Sequence, residues 1–197
     1  MNTVELYIFD TRKFTVPQLV DLFKLEKDEI KPFEKFAFEE TKKEKIVSYY
    51  FKKHYAPDYY IDDSGKPQSF NLYFNVSHSK GMVVFALNKK HQIGVDIELV
   101  RPVEEGLKRY IANDEEFAYI NSEEKFYEIW TSKESLSKCI GTGIKGKPSN
   151  IKALPIDGVK IIDDKPYRSK SVKIDNYVIS ITLNGDEDYQ ISIQKAL

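Results

Sequence analysis

The sequence is short of the residues that staple or anchor a chain. One cysteine, Cys139, among 197 residues excludes an internal disulfide framework and suits a reducing compartment. No window approaches the ~20 apolar residues of a membrane-spanning helix. The opening "MNTVELYIFDTRKF" carries acids within its first ten residues, which predicts no secretion signal. Charge of one sign is lacking too. Lys and Arg total 30 against 31 Asp and Glu, a net charge of -1, so there is no basic excess to hold nucleic acid or a membrane surface. Lysines crowd the stretch from Lys24 to Lys53, but Glu26, Asp28, Glu29, Glu34, Glu39, Glu40 and Glu44 interleave with them, as on a solvated helix face. The three histidines, His54, His78 and His91, make no zinc-ligand spacing with one cysteine. These absences predict a cytoplasmic protein with neither nucleic acid nor a membrane as partner.

What is present suffices for a core, since a chain of this length buries about 70% of its unfolded surface. "VELYIF" (Val4 to Phe9) reads as a strand, and Pro17 to Lys27 and Glu34 to Tyr55 carry helical periodicity. Turn chemistry fills 56–70, followed by short strands near Asn71 to Val76 and Met82 to Leu87 and another from Ile93. Helices are predicted over Arg101 to Ile120 and Glu123 to Ile140, the second ended by Gly141. Strands follow at Val159 to Ile162, Tyr177 to Leu183 and Tyr189 to Ile193, with "NGDED" as a hairpin turn between the last two. Strands and helices come in blocks without β-α-β alternation. The fold class is therefore α+β, with two halves of similar size meeting near Ile93.

The chemistry begins at "IGVDIE", Ile93 to Glu98. On a strand Asp96 and Glu98 face one side and Val95 and Ile97 the other, with the acids about 6.5 to 7 Å apart at the backbone. Two such carboxylates disfavour each other's charge unless a cation compensates. Taken alone, the pattern reads first as a half-exposed strand with acids on its wet face. The helix "FYEIWTSKESLSK" (Phe126 to Lys138) adds to it. Phe126, Ile129, Trp130 and Ile140 share an apolar stripe, Lys133 falls inside that stripe, and Glu134 lies beside it, one turn before Lys138. Glu134 and Lys138 alone would be an ordinary i, i+4 pair. A lysine centred on an apolar stripe instead needs an anionic partner or a cleft.

Three carboxylates on a strand and a helix suit a hard cation, and magnesium takes a few carboxylates plus substrate phosphates. In "FNVSHSKG" (Phe74 to Gly81), Ser77 and His78 lie between two apolar strands. No G-x-S-x-G elbow accompanies them, so a phosphate-binding pair suits them better than hydrolase chemistry. "GTGIKGKP" (Gly141 to Pro148) approaches the phosphate-loop pattern but has Pro148 where a hydroxyl is needed, and it follows a helix. It reads as a helix cap and a turn.

"GKP" (Gly65 to Pro67), "FNVSHS", "IGVDIE" and "FYEIWTSKESLSKCIGTGI" (Phe126 to Ile144) stand in this order. The set resembles the 4'-phosphopantetheinyl transferases of the long, surfactin-synthetase-activating type. The resemblance implies a pseudodimer of two α+β halves, here 1–92 and 93–197, working as a monomer. It implies transfer of 4'-phosphopantetheine from coenzyme A to a serine of an apo acyl or peptidyl carrier protein, releasing 3',5'-ADP. Asp96, Glu98 and Glu134 would hold Mg2+ with the coenzyme A pyrophosphate. Glu134, or a water it orients, would take the serine proton, and Lys138 would neutralise charge on the phosphoryl group. Lys66, Ser77 and His78 would bind coenzyme A phosphates, and Trp130 would pack.

Two departures from the family pattern stand out. Lys80 precedes Gly81 where the family often has glycine directly after "SHS". Glu44 stands at or beside the place of a nucleotide-contacting arginine, with Lys43 and Lys45 as its candidate replacements. Lys145 and Lys147 are candidate carrier contacts. The alternatives are a magnesium-dependent phosphohydrolase and a non-catalytic module that binds coenzyme A or a carrier.

Overall fold

The computed structural model describes residues 2–63 and 65–195. Ten strands and six α-helices make up an α+β fold among these residues. The strands are β1 (Asn2–Asp10), β2 (Tyr60–Ile61), β3 (Pro67–Gln68), β4 (Tyr73–Ser79), β5 (Met82–Asn88), β6 (Ile93–Leu99), β7 (Gly158–Ile162), β8 (Lys165–Ile174), β9 (Tyr177–Asn184) and β10 (Tyr189–Lys195). The helices are α1 (Val16–Leu22), α2 (Lys27–Ile30), α3 (Glu39–Tyr55), α4 (Glu105–Ile111), α5 (Asp114–Tyr119) and α6 (Glu123–Ile140).

Two four-stranded sheets organise the chain, in the orders β10-β1-β5-β4 and β6-β9-β8-β7. Their inner faces share one core, in which Val4, Leu6, Val84 and Ala86 meet Val95, Ile97, Ile179 and Ile181. On the outer face of the first sheet, Phe9, Val83 and Phe85 pack against Leu19 of α1 and Ile46, Val47 and Phe51 of α3. β5 and β9 are covered on both faces, which is why "MVVFAL" and "YVISITL" are almost unbroken apolar runs.

β10 crosses back from the second half of the chain to pair with β1, in parallel. "NGDED" is accordingly no hairpin turn. Both edges of β9 are already taken, by β6 and β8, so β10 cannot lie beside it. Strand β8, "KPYRSKSVKI", was not expected from the sequence, since its lysines and serines dilute the strand pattern and cross-strand pairing supplies what propensity does not. The helix predicted over 101–120 is two helices. Asn113 leaves the helical conformation and caps α5 by accepting from the Glu116 amide, and the Glu116 side chain returns a bond to the Asn113 amide. The helix predicted from Glu34 begins only at Glu39, after a 3-10 turn over Lys31–Phe33.

Helix α6 sets the position of the site. Ser122 caps its start by accepting from the Lys125 amide, and Gly141 ends it with φ 87°. It lies on the outer face of the second sheet, where Thr131 meets Ser180 at 2.7 Å and Ser135 meets Thr182 at 2.9 Å. Gly94 of β6 permits this approach, because a Cβ there would stand 2.0 Å from the Ser135 carbonyl oxygen and 2.5 Å from the Cys139 amide. No helix among the described residues is long and apolar enough to cross a membrane.

Candidate active site

β4 is an edge of the first sheet and β6 an edge of the second, and the two edges meet through side chains. Asn75 accepts from the Val95 amide at 3.0 Å, Ser77 donates to Asp96 Oδ1 at 2.9 Å, and Ser79 donates to Glu98 Oε2 at 2.7 Å. Period-two alternation on both strands aligns two hydroxyls with two carboxylates. Ser79 and Asn75 were not among the residues predicted for the site, although Ser79 shares the spacing that places Ser77.

Helix α6 closes the seam. Val76, Ser77, His78, Asp96, Glu98, Trp130, Glu134 and Lys138 line one cleft of about 330 Å3. Lys138 Nζ stands 2.6 Å from Asp96 Oδ1 and donates to Ser77 Oγ at 3.0 Å. Six of the predicted residues are thus brought together. The seventh, Lys66, stands apart and donates to the Cys139 carbonyl at the end of α6, 3.2 Å away. Lys133 is not in the cleft either. Its ammonium is fully buried on Glu116 at 2.6 Å and on the carbonyls of Pro148 and Ile151, so the stripe lysine has the anionic partner it needed. Lys145 lines a separate groove with Leu136 and Ile140.

Burial raises the Asp96 carboxyl above the usual carboxylate range, against the opposing pull of Lys138 and Ser77. Glu98 is raised by burial and by Asp96, with hydrogen bonds from Ser79 and Trp130 opposing. Glu134 is raised by burial and then by the charges of Asp96 and Glu98, while Lys138 lowers it.

Among the described residues no group of three or more His, Cys, Asp or Glu side chains is gathered closely enough to form a metal site. The donor set nonetheless fits a hard cation. Asp96 Oδ2 is buried and has no hydrogen-bond partner among the described residues, an arrangement that leaves an oxygen free for a positive ligand.

A second cleft, of about 620 Å3, shares Val76 and His78 with the first and is lined further by Lys45, Lys52, Phe33, Tyr49 and Tyr59. Lys45 and Lys52 of α3 line it, and of the two candidate replacements it is Lys45, not Lys43, that does so. Tyr49 and Tyr59 were not anticipated. Nothing in a lysine-rich amphipathic helix marks which of its side chains face a cleft.

A model of the 4'-phosphopantetheinyl transferase superfamily matches residues 92–193, just over half of the chain, and the chain belongs to that family. It is 33% identical over 90 residues to the 4'-phosphopantetheinyl transferase gsp of Aneurinibacillus migulanus, covering 42% of this chain and 38% of that protein. It is 34% identical over 124 residues to the 4'-phosphopantetheinyl transferase HetI of a Nostoc species, covering 58% and 52%. With the 4'-phosphopantetheinyl transferase Sfp of Bacillus subtilis it shares 28% identity over 101 residues, covering 48% and 41%. The chain thus spans about two-fifths to one half of the length of these relatives.

Proposed function

We propose that this chain transfers the 4'-phosphopantetheine group of coenzyme A to a serine of an apo acyl or peptidyl carrier protein, releasing 3',5'-ADP. The observation that carries the reading is the seam. Three carboxylates, Asp96, Glu98 and Glu134, line it together with Lys138, beside a lysine- and aromatic-lined cleft that shares His78. Membership of the family and its similarity to proteins named for this transfer support the same reading.

In this mechanism the carrier serine oxygen attacks the pyrophosphate phosphorus that bears the pantetheine. The new P–O bond replaces the bond to 3',5'-ADP, and the serine proton passes to Glu134 or to a water it orients. A carboxylate raised by burial and like charge is a better proton acceptor than an exposed one. Asp96, Glu98 and Glu134 would hold Mg2+, which supplies positive charge to the pyrophosphate oxygens. Lys138 leaves Asp96 to offset charge on the phosphoryl group. Ser77 and Ser79 keep the two strand acids aimed into the cleft, while Lys45, held against His78, offers its ammonium to phosphate oxygens. Phe33, Tyr49 and Tyr59 offer faces for the nucleotide. The apolar recess beyond Glu98 and Trp130, floored by Leu107, Ile111 and Phe126, is where the pantetheine and carrier approach.

On this reading the halves 1–92 and 93–197 are two related units. One chain furnishes both walls of the seam, so a monomer suffices. The single buried thiol, Cys139, suits the cytoplasm. Intact-mass analysis of a panel of apo carriers, incubated with the chain, coenzyme A and magnesium, tests the proposal. A gain equal to phosphopantetheine, lost with EDTA, is the expected result. Release of 3',5'-ADP without a carrier would point to a hydrolase. Intact coenzyme A with unmodified carriers would point to a binding module.

A further inference from the structure

Glu44 of α3 is buried behind the second cleft, and both of its oxygens are engaged. Oε2 lies 2.9 Å from His78 Nδ1, and Oε1 accepts from the Gly81 amide at 2.7 Å. On the other side of the imidazole, His78 Nε2 lies 3.1 Å from Lys45 Nζ. An ammonium only donates hydrogen bonds and a carboxylate only accepts them. Nε2 must then accept from Lys45, and Nδ1 must carry the proton that Glu44 receives. The two charged neighbours leave the ring one tautomer.

Glu44 also holds the strand that carries His78. The turn after β4, Lys80–Gly81, has φ 46° and 82°, and it is tied down from three elements. Glu44 takes the Gly81 amide, Thr11 donates to the Gly81 carbonyl through backbone and side chain, and Tyr177 donates to the Lys80 carbonyl. The imidazole is therefore fixed in position as well as in protonation.

We infer that Glu44 is a positioning residue for nucleotide binding: it fixes His78 in the Nδ1–H tautomer, so that Nε2 accepts from Lys45 and holds that ammonium, with its other N–H bonds free, ready for an anionic phosphate in the cleft. This rests on the proposed coenzyme A reading, and the carboxylate does not touch the nucleotide itself. A negative group so close to an anion site is tolerable because its charge is spent on two donors, the His78 Nδ1–H and the Gly81 amide.

The test is 15N NMR of the His78 ring in the free protein, with calorimetry and kinetics for coenzyme A on wild type and Glu44→Gln. Expected is a proton on Nδ1 and none on Nε2 in wild type. In Glu44→Gln, which keeps an acceptor for Gly81 but can donate to the ring, the proton moves to Nε2. Coenzyme A Kd and KM then rise about tenfold, as for loss of one charge-assisted bond, while kcat stays within about twofold. A proton on Nε2 in wild type overturns the inference without recourse to any variant. So does an unchanged coenzyme A affinity in a folded Glu44→Gln protein. Failure of the wild type to bind coenzyme A would overturn the functional reading instead, and the ring tautomer would still report the Glu44 contact.

Discussion

Lys133 Nζ lies 2.6 Å from Glu116 Oε2, and neither side chain reaches water, at 0% and 1% exposure. The pair staples α6 to α5. Through the Pro148 and Ile151 carbonyls and the Ala153 amide it also draws in the loop that precedes β7. The Lys133→Met variant leaves a buried carboxylate without its cation and should lose about 3–5 kcal/mol in urea unfolding. Adding Glu116→Gln should recover part of that loss. If the single variant melts like wild type, the pair is not what holds these elements.

Gly94 is the point where β6 and α6 come closest. Gly94→Ala places a methyl 2.0 Å from the Ser135 carbonyl, so the helix must move away. A loss of about 1–3 kcal/mol is expected, together with a fall in carrier modification well beyond the fall in folded fraction, since Glu134 and Lys138 ride on the same helix. A folded Gly94→Ala protein with full activity would show that the site tolerates the displacement.

Asp96→Asn should keep the fold and abolish modification of carriers. The amide retains an acceptor for Ser77 and Lys138 but cannot supply the anionic oxygen that Oδ2 presents. Intact mass of the carrier and a circular-dichroism melt of the variant check the two halves of the statement. Retained modification would remove Asp96 from the metal-binding role.

Lys160 on β7 is 4% exposed, and its ammonium has no hydrogen-bond partner among the described residues. Burial lowers its pKa to about 8, with Asp157 and Glu116 opposing. Below pH 8 the lysine is charged in both the folded and the unfolded chain, and the folded state bears the full burial cost. Between about 8 and 10.5 only the unfolded chain holds the proton, so stability should rise with pH across that window, by up to about 3 kcal/mol. Lys160→Met should be more stable than wild type at pH 7 by about 1–3 kcal/mol, with the gap closing towards pH 10.5. Parallel pH profiles of the two proteins would rule out the burial argument.

Lys80 adopts φ 46°, a left-handed conformation that an ordinary side chain disfavours and asparagine tolerates. With Gly81 it makes the two-residue turn for which Asn-Gly is the favoured sequence. Lys80→Asn should stabilise the chain by about 1 kcal/mol, read as a higher urea midpoint at unchanged slope. A lower midpoint would mean that the lysine side chain contributes more than its backbone strain costs.

Much of the site was legible as local periodicity. Asp96 and Glu98 share a face because they are two apart on a strand. Glu134 and Lys138 share one because they are a turn apart on a helix. Lys133 stood out as a charge out of place on an apolar stripe. Less of the fold could be read, and the losses have definite causes. β8 hides in a polar run that only pairing with β7 and β9 makes a strand. The break at Ala112 comes from Asn113 competing for the helix backbone. "NGDED" resembles a hairpin turn whichever strand its neighbour pairs with.

The sequence by itself determined which residues could carry charge towards a common face, how the long helix α6 begins and ends, and that the chain resembles the transferases whose family it joins. Only the tertiary structure decided that β4 and β6 meet edge to edge, that Ser77 and Ser79 hold the acids, that Lys45 in place of Lys43 meets His78, and that β10 returns to the first sheet. Periodicity is a property of neighbours along the chain and survives in the string of residues. Contacts between residues 19 to 187 positions apart depend on which strand edges remain free and how closely backbones can pack, and no local pattern carries that information.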